Sequence, residues 1–325
     1  VAWWESDQQM NAEVILTVEE MQDKNLWLEV RNTGIGGSDA AVIVGMNKWK
    51  SPLTLWLEKT GQKEPDDLSD NERVYWGVKN EANIADWFTE KTGKKVIRKG
   101  LMRSKDYPWM LATVDRMVVG EEAGLEIKTA GVDQAKKWLE DEIPDMYYLQ
   151  CQWYMAVTGL AKWYIAVLIG GNEAKFKVVE RNEDQIKELI KAGQDFWEKV
   201  QKKIMPAVDG SKDCGSSLGL IYGQSNGEAI NLPLQAAEII KKYDEIKASI
   251  ADLEKIKITQ ENLLKEILGE NEIGTLQLED SLRKVTWKTQ EGRKTVDSKM
   301  LKAAWPQAYK ECLKIGKPIR VFKVN

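Results

Sequence analysis

Three residues within a short span have the types that divalent-metal chemistry requires: Asp115, Glu126 and Lys128. Asp115 lies in Ala112-Thr113-Val114-Asp115-Arg116, and eleven residues later comes Glu126-Ile127-Lys128. Side chains alternate between the two faces of a strand, so Glu126 and Lys128 project together. An antiparallel pairing of the two segments brings Asp115 beside them. Two carboxylates on one face suit a hard cation such as Mg2+. A lysine next to them can stabilise a phosphoryl group or orient attacking water, and hydrolysis of this kind needs no imidazole. A salt-bridged surface hairpin carries the same letters, so these residues alone leave both readings open.

Composition narrows the chemistry further. The 325 residues include no histidine. Ser-His-Asp triads, Cys-His dyads and His-ligated zinc are therefore excluded. Cys151, Cys214 and Cys312 are dispersed and odd in number, which supports neither a disulfide framework nor a metal knuckle and fits a reducing cytoplasm. The net charge of −4 means that a nucleic-acid partner needs a local basic surface. The stretch Gly93 to Lys105, GKKVIRKGLMRSK, holds six cations; it is either a phosphate contact or a solvated edge. No run approaches the ~18 apolar residues of a membrane span. The opening VAWWESDQQM lacks the basic start and apolar run of a signal peptide. It also lacks an initiator Met, so the numbering is expected to begin inside a longer or processed chain.

Other residues have chemistry of their own. Glu81, in Trp76-Gly77-Val78-Lys79-Asn80-Glu81, is either a third acid for the metal or an exposed helix carboxylate. Tyr147, Gln150 and Tyr154 fall at i, i+3 and i+7 and share a helix face. That face is either an amphipathic stripe or one with a polar contact to water or phosphate. Arg31 and Ser38 flank a glycine-rich loop; with backbone N–H groups they form an anion pocket or simply a capped turn. Asn47-Lys48-Trp49-Lys50 follows, and Trp49 is a candidate aromatic contact beside that loop.

These residues need elements to position them. A capping box at Thr17-Val18-Glu19-Glu20 predicts a short helix to about Val30. Ser38 is the expected N-cap of Ala40 to Val44. Ser51-Pro52 opens a further helix ending before Gly61. Residues 71–92 read as a helix stopped by Gly93, and Lys94 to Ile97 as extended. Leu111 to Val119 and Leu125 to Lys128 read as adjacent strands. Helices are expected over 133–140, 146–158 and 183–203, with strands at Trp163 to Ile169 and Lys175 to Val179. This is an α/β core over residues 1–205, a mixed sheet flanked by helices. Residues 206–228, rich in Gly and Ser, read as a linker. Residues 229–325 read as a helical and small α+β extension. Its helix over 234–268 has apolar residues at Ile239, Tyr243, Ile246, Ile250, Leu253, Leu264 and Ile267, spaced for packing on its own domain or for an oligomer. Strands at Thr275 to Leu278, Leu282 to Lys288 and Arg320 to Lys323 and a helix over Asp297 to Lys314 are expected to follow.

The order Arg-x6-Ser in a GGSDAA loop, WGVKNE, VD, EIK and YYLQCQWYMAVTG resembles the YqaJ-type viral recombinase family. That family is similar to the exonuclease of phage lambda and belongs to the restriction-endonuclease-like superfamily with its D…ExK motif. The resemblance covers about residues 28–205. It implies a restriction-endonuclease-like fold and a Mg2+-dependent exonuclease acting 5′ to 3′ on double-stranded DNA ends, with two ions and Mn2+ as a substitute. It implies Asp115, Glu126, the Ile127 carbonyl and Glu81 as metal ligands, the last directly or through water. It implies Lys128 as the catalytic lysine, Gln150 and Tyr147 beside it, and Arg31 and Ser38 as a 5′-phosphate pocket. A trimeric ring, a single-strand annealing partner protein and a phage or prophage origin in a bacterial cytoplasm are further implications. Two rivals remain. One is a nuclease of the same superfamily with another polarity, of the iron–sulfur or repair kind; three dispersed cysteines argue against a four-cysteine cluster. The other is a DNA-end binding module without catalysis.

Overall fold

The computed structural model describes residues 10–139, 142–279, 281–316 and 320–324. The chain divides into two units, Val1–Ile221 and Tyr222–Asn325.

The first unit is built on a five-stranded sheet. Its strands are β2 (Val96–Ile97), β5 (Arg116–Val118), β6 (Ala123–Ala130), β7 (Lys162–Ile169) and β8 (Glu173–Glu180), in the order β2-β5-β6-β7-β8. β6 and β7 run parallel and the other pairs antiparallel. A parallel pair needs a crossover, here α5 (Ala135–Leu139) and α6 (Asp145–Thr158). A smaller antiparallel sheet joins β1 (Ala12–Leu16), β3 (Leu101–Ser104) and β4 (Leu111–Ala112) in the order β1-β3-β4.

Helices cover both faces of the main sheet. α4 (Glu72–Thr92) is capped by the Asn71 side chain and ends at Gly93, whose φ of 71° is left-handed, as helix C-termini favour. It buries Ile84, Ala85 and Phe88 against Leu125, Ile127, Tyr164 and Ala166. α6 lies with the opposite face, where Cys151, Trp153, Tyr154 and Met155 join Trp163, Ile165 and Val167. Alternation along β6 therefore sends Leu125 and Ile127 beneath α4 and Glu126 and Lys128 to the α6 side.

Several boundaries differ from the sequence reading. The Thr17 capping box forms, with the Thr17 N–H donating to Glu20 Oε2 (2.8 Å) and the Glu20 N–H to Thr17 Oγ1 (3.2 Å). It opens only a 3-10 turn, Glu20–Gln22. The helix, α1 (Lys24–Arg31), starts afresh at Asp23, whose carboxylate accepts the Asn25 and Leu26 N–H groups. Ser38 caps no α-helix: Gly37–Asp39 is a 3-10 turn leading into α2 (Ala40–Ile43). The strand expected over Leu111 to Val119 is two, β4 and β5, in different sheets. Of the helix expected over 133–140, a 3-10 turn takes Val132–Gln134 and α5 the next five residues; residue 140 lies outside the described residues.

The expected linker is the largest correction. Within 206–228 lies α8 (Lys212–Ile221), which belongs to the first unit, after α7 (Glu183–Lys202). Cys214 and Ser217 are buried. Asp213 Oδ2 accepts the Ser51 N–H (2.7 Å) and the Thr54 hydroxyl (2.5 Å), at the start of α3 (Pro52–Lys59). Asp213→Ala leaves those donors without their acceptor. It is expected to cost about 2 kcal/mol, read as a lower thermal midpoint; an unchanged midpoint would return 206–221 to the status of a linker.

The second unit holds α9 (Gln235–Leu268), the antiparallel hairpin β9 (Ile273–Leu278) and β10 (Ser281–Thr286), and two short helices, α10 (Ser298–Ala304) and α11 (Pro306–Cys312). Pro306 breaks the single helix expected over Asp297 to Lys314, because an interior proline removes a donor and clashes with the preceding turn. Residues 320–323 are not a strand. The apolar stripe of α9 does not pack on its own unit: Ile239, Ile246, Leu253 and Ile267 are all exposed. Among the described residues no helix is long and apolar enough to cross a membrane.

Candidate functional site

Thr113 to Asp115 carry the chain from the small sheet to the main one, which leaves Asp115 immediately before β5. Its Oδ2 accepts the Ile127 N–H at 2.6 Å. Glu126 is 1% exposed. Its Oε1 accepts from Gln150 Nε2 at 2.8 Å and from Lys128 Nζ. Its Oε2 is buried and has no hydrogen-bond partner. Lys128 Nζ also lies 4.9 Å from the centre of the Tyr147 ring, which stacks on Trp138. Asp115, Glu126, Lys128, Gln150 and Tyr147 thus come together in one cluster.

The electrostatics of the cluster are those of a site short of positive charge. Burial pushes the Asp115 carboxyl well above the ordinary carboxylate range, and the Glu126 carboxylate beside it pushes the same way. Burial works against the Lys128 charge, but Glu126 and Asp115 outweigh it and hold the ammonium above its usual value. A buried carboxylate oxygen without a partner is costly. Two adjacent carboxylates, one with an oxygen in that state, fit a divalent cation.

Glu81 is held by arginines. It sits on α4, and its Oε1 accepts from Arg116 Nη1 at 2.5 Å, with Arg98 at 3.8 Å; its charge still reaches Asp115, whose carboxyl it helps to push upward. Arg116 pairs with Leu125 across β5 and β6 and so faces α4. Its Nη1 also donates to the Asp115 carbonyl (2.6 Å). Among the described residues no group of three or more Asp, Glu, Cys or His side chains converges on one point.

Arg31 and Ser38 meet: Arg31 Nη2 donates to Ser38 Oγ at 2.7 Å. The same nitrogen reaches Asp39 Oδ1 at 3.2 Å, and Lys59 Nζ lies 3.6 Å from Asp39 Oδ2. Burial alone would raise the Asp39 carboxyl; Arg31 and Lys59 outweigh it and hold it at about 2. Burial draws the Lys59 ammonium down to about 8, against the pull of Asp39. The loop rests on the ring of Tyr154, where a Cβ on Gly37 would lie 2.3 Å from Cε1. The Tyr154 hydroxyl accepts from Gln150 Nε2 (2.8 Å) and donates to the Thr113 carbonyl (2.8 Å). One ring therefore links the loop to the residue that holds Glu126.

Trp49 is 68% exposed, on a turn where Asn47 Oδ1 accepts the Trp49 and Lys50 N–H groups. Much of the basic stretch is engaged within the protein: Lys94 with Glu121, Arg98 with Glu81, Arg103 with Glu13, and Lys105 with the Met10 carbonyl. Sequence reasoning missed Arg116, Asp39, Lys59 and Trp138. Lys59 ends PLTLWLEK beside Glu58, as a basic residue in the last turn of a helix commonly does, and carried no signal of its own.

Comparison with known proteins gives a family. The YqaJ-like viral recombinase domain matches residues 26–161. The protein YqaJ of Bacillus subtilis (strain 168) is 39% identical over 308 residues, 93% of this chain and 94% of that one. Among solved structures, an alkaline exonuclease (LHK-Exo) of Laribacter hongkongensis is 18% identical with a TM-score of 0.48, covering 55% of this chain and 94% of that one. A phage-related exonuclease of Haemophilus somnus 129PT is 13% identical with a TM-score of 0.41, covering 53% and 96%. With identity of that level sustained over nearly the whole length of a YqaJ protein, the chain belongs to the YqaJ-like viral recombinase family.

Proposed function

We propose that the chain is a divalent-metal-dependent exodeoxyribonuclease that resects double-stranded DNA from 5′ ends and leaves a 3′ single strand. The observation that carries this is the pair Asp115 and Glu126, with Glu126 Oε2 buried and unpartnered while Lys128 holds Oε1. These two carboxylates, with the Ile127 carbonyl, would hold Mg2+ or Mn2+. When bound, such a cation polarises the phosphoryl group and makes water a competent nucleophile near neutral pH.

The chain's own residues do the rest. Gln150 donates to Glu126 Oε1 and fixes that carboxylate so that its other oxygen stays available. Lys128, held charged by its carboxylate neighbours, offsets the charge that builds on the phosphate. Tyr147 lies against the Lys128 ammonium and confines it. Arg31 and Ser38 take the 5′-phosphate, which starts cleavage at an end. Glu81 acts in this reading by holding Arg116. Trp49 stands as an exposed aromatic for unpaired bases. A single-strand annealing partner and assembly into a trimeric ring complete the proposal on the family resemblance.

The test is linear duplex DNA bearing a 5′-phosphate, labelled at either end, incubated with Mg2+ beside closed circles. Early release of the 5′ label with circles intact, and no release by Lys128→Ala, is the expected result. Cut circles or early release of the 3′ label would keep a nuclease and reject the polarity. Binding without hydrolysis in Mg2+ and Mn2+ would favour an end-binding module.

A further inference from the structure

We infer that Lys59 sets the net charge of the 5′-end pocket and so determines its selectivity for a terminal phosphate, an inference that rests on Arg31 and Ser38 forming that pocket. The groups a ligand can reach belong to Ser38, an exposed residue, and to Arg31, whose side chain is 23% exposed. Beneath them lie two groups it cannot reach, Asp39 and Lys59, with side chains 6% and 1% exposed.

The charges decide what the pocket can hold. Arg31 and Asp39 alone form a neutral pair, and an incoming anion meets the Asp39 carboxylate behind the guanidinium. Lys59 occupies the other side of that carboxylate, with Nζ 3.6 Å from Oδ2 while Arg31 is 3.2 Å from Oδ1. Two cations thus share one anion, which leaves one positive charge. The nearby Glu58 does not cancel it, because Lys50 (2.7 Å) already pairs with that carboxylate, while Lys63 (3.7 Å from it) is matched by Asp66 (2.6 Å).

Burying a lysine is costly, and packing alone would be served by Met in a helix whose Leu53, Leu55, Trp56 and Leu57 are all buried. Lys59 Nζ also donates to the Arg31 carbonyl at 2.9 Å and so holds the end of α1 over the pocket. A phosphate monoester at a DNA end carries nearly two charges near neutral pH, whereas an internal diester carries one. Surplus positive charge beneath the guanidinium therefore favours the end.

Equilibrium binding of the full chain to short duplexes with a 5′-phosphate or a 5′-hydroxyl, in EDTA, reads the pocket without catalysis. The wild type is expected to favour the phosphate by about tenfold, the worth of a charge-assisted contact. Lys59→Met is expected to bring the ratio close to one. Asp39→Asn combined with Lys59→Met is expected to restore it, since Arg31 is then unmatched again; a purely structural role for Lys59 predicts no such recovery. Should Lys59→Met not fold, Asp39→Asn alone must raise the ratio. A Lys59→Met ratio equal to that of the wild type, or a double variant no better than Lys59→Met, would overturn the role of Lys59 alone. A wild type indifferent to the phosphate would overturn the pocket itself.

Discussion

Glu126→Gln is expected to reduce DNA hydrolysis by about 10³-fold, ~4 kcal/mol of barrier, and to abolish stabilisation by added divalent cation. The two effects share one cause. Glu126 supplies a buried oxygen with no partner beside Asp115, whose carboxyl is pushed upward by burial and by Glu126 itself. A cation bound there stabilises the folded state by mass action, about 2.7 kcal/mol at a hundred times its dissociation constant. For a folded unit of this size that is roughly 5–10 °C in thermal midpoint. Gln keeps the shape of the side chain but removes the charge that holds the ion. Glu81→Gln is the informative comparison. With its carboxylate on Arg116, Glu81 is expected to leave the cation-induced shift largely intact. Thermal melts of all three proteins with and without Mn2+ decide the matter. An unaltered shift in Glu126→Gln would move the cation away from this pair of carboxylates.

The difference between those two acids also marks how far the sequence could be read. The alternation of Glu126 and Lys128 is a property of one strand, and it survives in the fold because Leu125 and Ile127 are buried under α4. Asp115 needed only the neighbouring strand, and its bond to the Ile127 N–H realises the expected hairpin even though the strand before it breaks in two. Glu81 depended on which face of the sheet its helix would cover, and no local pattern carries that. Arg116, next to Asp115 in sequence, meets Glu81 because alternation turns it to the opposite face. The segment 206–221 failed for a similar reason. Its Gly and Ser content suggested a linker, but Asp213 finds its partners at Ser51 and Thr54, some 160 residues earlier. Composition reports what a segment is made of and is blind to what it meets. Lys59 is the converse case. Its sequence position is that of an ordinary helix-ending lysine, and only the approach of Asp39 and Arg31 distinguishes it.

Gly37→Ala should impair both halves of the proposed chemistry at once. A methyl group at this position lies 2.3 Å from Tyr154 Cε1 and 2.8 Å from Cζ, well inside contact distance. Tyr154 has little room to retreat. It is 3% exposed, its hydroxyl is bonded to Gln150 and Thr113, and its ring packs 5.2 Å from that of Trp163. Overpacking of this kind costs about 1–3 kcal/mol. If the ring yields, Gln150 loses its support and with it the grip on Glu126; if the loop yields, Asp39 and Ser38 move away from Arg31. Either response lowers hydrolysis, and the second also lowers preference for a 5′-phosphate. Gly36→Ala is the control one residue away. Its Cβ would meet nothing closer than Arg31 Nη2 at 3.6 Å, and its φ of −93° suits any residue. A Gly37→Ala protein that melts lower but cleaves and selects ends as the wild type does would show that the ring of Tyr154 packs the loop without tying it to the carboxylates. Loss of hydrolysis with end preference retained would locate the yielding part at Tyr154 and Gln150, because the pocket can keep its geometry only if the loop has not moved.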